Sequence, residues 1–174
     1  EKRGIFYFSL RGRKIKGLCP FGQKTPRSLC LCGEVINLMH LNHLSSQIIG
    51  AAIEVHRTIG PGLLESAYEE CLCHELKLRG LNFERQKPMP VKYKDVQLDC
   101  GYRLDVLVEK QIIVELKSCE HIEPIHKAQL LTYLRLADLS LGLLLNFNVP
   151  VMKDGIVRML NGNLEEHENS PQRH

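Results

Sequence analysis

Asp105, Glu115 and Lys117 lie on two short segments with the composition of β-strands. Residues 102–108 and 112–116 are rich in Val, Ile and Leu, and the tight turn Glu109-Lys110-Gln111 joins them. With the turn centred on Lys110, facing positions sum to 220, which sets Asp105 opposite Glu115 to within one residue. Side chains alternate along a strand. Tyr102, Leu104, Val106, Val108, Ile112, Val114 and Leu116 then form one face, entirely apolar. Arg103, Asp105, Leu107, Ile113, Glu115 and Lys117 form the other. Like charges directly opposite on a sheet are destabilising. At about 5 Å and an effective dielectric of about 20, the repulsion is about 3 kcal/mol. Lys117, two residues from Glu115, could neutralise the pair. A hard divalent cation such as Mg²⁺ could do so more fully, because it takes carboxylate oxygens and keeps several waters. The plain alternative is a solvated sheet face with a surface lysine. A helix follows that would cover this face, which makes three charges there harder to excuse.

Two other segments contribute polar groups. Glu65 and Tyr68 are three residues apart in Gly62-Leu63-Leu64-Glu65-Ser66-Ala67-Tyr68, so they project together from a first helical turn. Glu65 could reach a site at the sheet edge, or simply compensate the helix dipole. His126, Gln129 and Tyr133 share one stripe of a later helix. For Tyr133 the alternative is core packing, and for His126 a surface position.

The elements that must position these groups follow from periodicity and punctuation. Residues 1–44 show no clean apolar face and read as a basic extension, disordered or loosely packed, or a mis-set start of translation. Ser45 and Ser46 could cap a helix carrying Ile48, Ile49, Ala52, Ile53, Val55 and Ile59. Gly60-Pro61-Gly62 breaks the chain. A second helix spans residues 63–79, with Leu64, Ala67, Cys71, Leu72 and Leu78 on one side and Gly80 at its C′ position. Residues 83–91 read as an edge strand because of Pro88 and Pro90, and 91–98 as a short strand or hairpin. A third helix spans 124–137, with Pro124 in its first turn. Residues 142–147 are a strand buried on both faces, and 156–160 a last strand. The fold class is α/β, an α+β mixed sheet flanked by helices. The folded domain is expected over residues 45–162, with a polar tail at 163–174.

Composition bounds the function. The chain has 174 residues, 44% apolar and 25% charged, as in a globular protein of one domain. Its net charge of +3 suggests a nucleic-acid partner only until it is divided. Residues 1–33 hold Lys2, Arg3, Arg11, Arg13, Lys14, Lys16, Lys24 and Arg27 against Glu1 alone, a net of +7. The remainder holds fifteen basic and nineteen acidic residues, a net of −4. Neither a secretory leader nor a membrane span is evident, so a cytoplasmic protein with reduced thiols is expected. Cys19, Cys30 and Cys32 lack zinc-site spacing. Cys71 and Cys73 fall about 200° apart on a helix.

Asp105 followed after a hairpin by Glu115-Leu116-Lys117 resembles the PD-(D/E)XK nuclease superfamily. Gln129-Leu130-Leu131-Thr132-Tyr133 resembles the QxxxY element of its RecB-like branch. Gly62 to Tyr68 matches the GxxExxY motif, and Ile59-Gly60-Pro61-Gly62, Glu75-Leu76 and Gly142-Leu143-Leu144-Leu145-Asn146-Phe147 fit the GxxExxY family within it. The resemblance covers residues 44–160. Leu104 precedes Asp105 where the motif name has proline. The resemblance implies a restriction-endonuclease-like core and a nuclease that uses Mg²⁺ or Mn²⁺. It implies that Glu65, Asp105, Glu115 and the backbone carbonyl of Leu116 hold the metal. It implies that Lys117 orients or activates the attacking water, with Gln129 and Tyr133 supporting the lysine or the nucleic-acid backbone. Tyr68 and His126 are counted with the supporting residues. Phosphodiester hydrolysis needs a nucleophilic water and neutralisation of phosphate charge, which carboxylates, a cation and a lysine can supply.

The leading expectation is therefore a metal-dependent nuclease acting on DNA. The alternatives are a nuclease-fold module that binds nucleic acid or protein without cutting, favoured by the acidic domain, and a function built on the cysteines.

Overall fold

The computed structural model describes residues 7–10, 13–16, 26–98 and 102–161. The chain divides into two units, Glu1–Leu38 and Met39–His174. In the first, strands β1 (Tyr7–Leu10) and β2 (Arg13–Lys16) pair antiparallel. Helix α1 (Pro26–Ile59) begins there and continues into the second.

This corrects the expected helix start. Ser45 and Ser46 do not cap a helix. Their hydroxyls donate back to the Asn42 carbonyl at 3.0 and 2.9 Å, as serines do inside a helix. Leu41 and Leu44 are buried core residues, so the second unit starts before residue 45.

Five strands form the main sheet, in the order β3 (Phe83–Pro88), β6 (Arg103–Val108), β7 (Ile112–Lys117), β8 (Leu141–Asn146), β9 (Ile156–Leu160). Only the β7–β8 pair is parallel. Helix α3 (Pro124–Ala137) makes that crossover. Strands β4 (Val91–Tyr93) and β5 (Val96–Leu98) form a separate hairpin between β3 and β6 in the chain. β3 is an edge strand, as Pro88 at its end favours. β8 is buried along its whole length.

The sheet divides two cores. On one face α1 and α2 (Glu65–Leu78) cover Val106, Val108, Ile112, Val114, Leu116, Leu141, Leu143 and Leu145. On the other, Leu130, Tyr133 and Leu134 of α3 cover Leu104, Leu107, Ile113 and Leu144. Layers of this kind bury each element's apolar side.

Two expected faces are corrected. The buried stripe of α2 is Tyr68, Leu72 and Leu76 flanked by Glu69 and Cys73, while Leu64 and Leu78 are exposed. The observed stripe includes a carboxylate, Glu69, which a count of apolar positions alone does not find. The helix ends as expected at Gly80, whose φ is 71°. Gly80 N–H donates to the Lys77 carbonyl and Leu81 N–H to the Leu76 carbonyl, a Schellman motif. On β6, Leu104 packs under α3 and not beside Val106. Simple alternation fails between them, at Asp105.

Candidate active site

The β6–β7 register runs Val106–Val114, Leu107–Ile113 and Val108–Ile112, the expected sum of 220. At the next step the Asp105 side chain takes over from the main chain. Its Oδ2 accepts the Leu116 N–H at 2.9 Å. Leu104 and Leu107 then fall on the same face. Across from this point on β3, Gln86 has a left-handed backbone, φ 47°.

Glu115 is 2% exposed. Lys117 Nζ donates to its Oε1 at 2.7 Å. Its Oε2 is buried and has no hydrogen-bond partner among the described residues. Burial first, and then the Asp105 charge, push the Glu115 carboxyl up to about 7, against the pull of Lys117. Burial also raises Asp105, opposed by the Leu116 N–H and Lys117. For Lys117, burial works against its charge, but the hydrogen bond and charge of Glu115, with Asp105 and Glu65, hold its pKa above the ordinary lysine value. The three groups thus form one coupled cluster of two carboxyls and an ammonium.

Glu65 sits at the start of α2 and meets the chain just after β7. Its Oε1 accepts the Ser118 N–H at 3.1 Å, and the Ser118 hydroxyl donates to the Leu63 carbonyl at 2.6 Å. Its charge acts on Asp105, Glu115 and Lys117. Tyr68 is fully buried and stacks on Phe147, with ring centroids 4.4 Å apart. Its hydroxyl donates to the Gly60 carbonyl and accepts the Leu63 N–H. Tyr68 therefore fixes the turn that leads into Glu65 from inside the core.

From α3, Tyr133 reaches the cluster's field. Burial raises its pKa, the Gln129 hydrogen bond lowers it, and Glu115 and Asp105 raise it further. Gln129 Nε2 donates to the Tyr133 hydroxyl at 2.9 Å. His126 serves the helix end: its Nδ1 accepts the Glu123 N–H at 3.2 Å.

Sequence reasoning missed two residues. Glu69, one turn after Glu65, is 7% exposed. It accepts from Arg85 Nε at 2.8 Å and Gln86 Nε2 at 2.5 Å, and its charge acts on Asp105. The only sequence signal was its spacing of four from Glu65. Asn146 at the end of β8 is buried. It accepts the Cys119 N–H and donates to the Cys119 carbonyl, which pins the loop that carries Ser118.

The donors of the cluster are hard oxygens, and an orphaned buried carboxylate oxygen suits a hard divalent cation. The residues fit such an ion. Among the described residues no three His, Cys, Asp or Glu side chains are grouped to hold one, and Glu65 is engaged with the Ser118 N–H. The described cysteines Cys71, Cys73 and Cys119 are free thiols. Burial pushes Cys73 up to about 11, which suppresses thiolate chemistry there.

A family model of the PD-(D/E)XK nuclease superfamily matches residues 42–159, and the chain belongs to that superfamily. No curated protein and no solved structure matches it. The mixed sheet flanked by helices is the restriction-endonuclease-like architecture of the class. No described helix is long and apolar enough to cross a membrane.

Proposed function

We propose that the chain is a divalent-metal-dependent nuclease of the GxxExxY type within the RecB-like branch, hydrolysing phosphodiester bonds in DNA. The observation that carries this reading is the Asp105–Glu115–Lys117 cluster with its unpartnered buried oxygen, Glu115 Oε2. Glu65, Asp105, Glu115 and the Leu116 carbonyl would hold Mg²⁺ or Mn²⁺. Such an ion, when bound, supplies Lewis-acid stabilisation of the phosphate and a more acidic water. The chain's own residues do the rest. Asp105 is oriented by the Leu116 N–H, which keeps its other oxygen free of that bond. Lys117 brings a positive charge to where charge builds on the phosphate oxygens. It also holds Glu115 in place while no other cation does so. Gln129 and Tyr133 buttress the cluster from α3, and Tyr68 sets the turn before Glu65.

The test is cleavage of single- and double-stranded DNA by the purified chain, with and without Mg²⁺ or Mn²⁺. Cleavage is expected with metal, and loss of at least a hundredfold in Lys117→Ala. Cleavage that survives EDTA or Lys117→Ala overturns the reading.

The net charge of −4 after residue 33 favours a second reading, a nuclease-fold module that binds nucleic acid or protein without cutting. Calorimetry with Mn²⁺ separates the two. No heat of binding, with all four residues present, favours the module.

A further inference from the structure

Tyr102 is an apolar residue left in solvent at the edge of the cluster. It is 50% exposed, whereas its neighbours on the α3 face, Leu104 and Leu107, are buried. Strict alternation would have set it with Val106 and Val108 under α1 and α2. The break at Asp105 brings it to the α3 side, where its ring meets Tyr133 with centroids 6.4 Å apart and planes crossing at 66°. Tyr133 in turn lies within the field of Glu115, Asp105 and Lys117. The position is rigid at its root, because the Tyr102 carbonyl accepts the Met89 N–H at 2.8 Å. A half-exposed aromatic held edge-on by a second aromatic, three residues from Asp105, is a platform that the described residues leave half open. The charge of the domain adds a reason for one. Residues 45–162 hold fourteen basic and fifteen acidic residues, a net of −1, so the domain has no excess of positive charge for tracking a duplex by many phosphate contacts. Base stacking does not depend on net charge, and it requires a base that is out of the duplex.

We propose that Tyr102 stacks on an unpaired nucleobase next to the scissile phosphate, so that the substrate at this site is single-stranded nucleic acid. The proposal rests on the nuclease reading above. Tyr133 sets the angle of the platform, and Gln129 holds Tyr133 through its hydroxyl. A paired base, already stacked on its neighbours, gains nothing from the ring.

The test is binding of the full chain, in EDTA so that the strand is bound and not cut, to a fluorescent single-stranded oligodeoxynucleotide. The same oligonucleotide with abasic central positions and a blunt duplex of equal length are compared. Tyr102→Ala is expected to weaken single-strand binding roughly five- to a hundredfold, the range of one stacked base. Tyr102→Phe should keep the wild-type affinity, and the abasic strand should bind the wild type as weakly as the intact strand binds Tyr102→Ala. Duplex binding should not change. An unchanged single-strand affinity in Tyr102→Ala overturns the stacking proposal while leaving the nuclease reading intact. So does an equal loss for strand and duplex, or a loss in Tyr102→Phe as large as in Tyr102→Ala. Failure of the wild-type chain to bind any of the three ligands overturns both.

Discussion

A carboxyl group buried beside a second carboxylate keeps its proton longer than it would in water, and Glu115 is in that position. Burial and Asp105 raise it from 4.5 to about 7 in the metal-free chain. The sign of the linkage follows. Between these values the unfolded chain has released the proton and the folded chain still holds it. The stability due to Glu115 is therefore complete below pH 4.5 and is lost as pH rises through 7. Asp105, raised by burial, adds in the same direction. Thermal unfolding of the metal-free protein should show a decline between pH 4.5 and 8 of up to about 3 kcal/mol. Glu115→Gln should flatten it. If Glu115 is a metal ligand, Mg²⁺ competes with the same proton. Added Mg²⁺ should then raise Tm at pH 8 and leave it unchanged at pH 4.5. A profile that Glu115→Gln leaves unaltered would show that another group sets it. Asp105, Glu115 and Lys117 were legible in the sequence because a hairpin register is local and sums to a constant. Glu69 was not, since beside Glu70 it has the look of a solvent face. Its partners Arg85 and Gln86 come from an edge strand sixteen residues on.

Elements carry these residues only if their ends are fixed, and the end of β8 is the tightest of them. Asn146 closes β8 and holds the Cys119 loop, which leads back to Ser118 and Glu65. The short 3₁₀ turn Met152–Gly155 folds directly against it. A Cβ at Gly155 would lie 2.0 Å from the Asn146 backbone oxygen. Backbone cannot withdraw there without shifting Asn146 and the loop it pins. Gly155→Ala should therefore destabilise by about 1–3 kcal/mol, as overpacking does. Thermal melts should show the loss, and Gly60→Ala offers a comparison with open space around its Cβ and only a strained φ of 70°. An unchanged Tm for Gly155→Ala would refute the close approach. The elements themselves were read unevenly from sequence. α3 and β9 have the expected bounds, because proline and a turn punctuate them. α1 starts nineteen residues before the expected position, because Ser45 and Ser46, read as caps, lie inside the helix and bond back to Asn42. The displacement of Leu104 was illegible for a different reason. A long-range bond from the Asp105 carboxylate to Leu116 N–H, not any local pattern, breaks the alternation.

At the scale of the whole chain, charge is segregated along the sequence. Eight basic residues and one acid lie in the first 33 positions, and the rest is net negative. A cluster of Asp105, Glu115 and Glu65 within a domain of almost balanced charge, net −1 over residues 45–162, attracts cations locally, which suits a metal site and opposes a polyanion there. On the proposed function, the net +7 of residues 1–33 would supply long-range attraction of nucleic acid, with the cluster acting on the strand that arrives. This separation makes a distinct experimental claim. Binding of single-stranded DNA by the full chain should fall with rising salt. Each phosphate contact from the basic segment contributes about 0.7 to the slope of log K against log salt. Replacing Lys2, Arg3, Arg11, Arg13, Lys14, Lys16, Lys24 and Arg27 by glutamine keeps the chain length and removes the charge. That variant should bind more weakly at low salt and show a flatter slope. It should also retain the loss caused by Tyr102→Ala, because stacking and counterion release are independent contributions. Parallel salt dependences for the two chains would mean that the basic segment makes no phosphate contacts. The affinity for the strand would then have to arise within the folded domain, at the cluster and its aromatic rim.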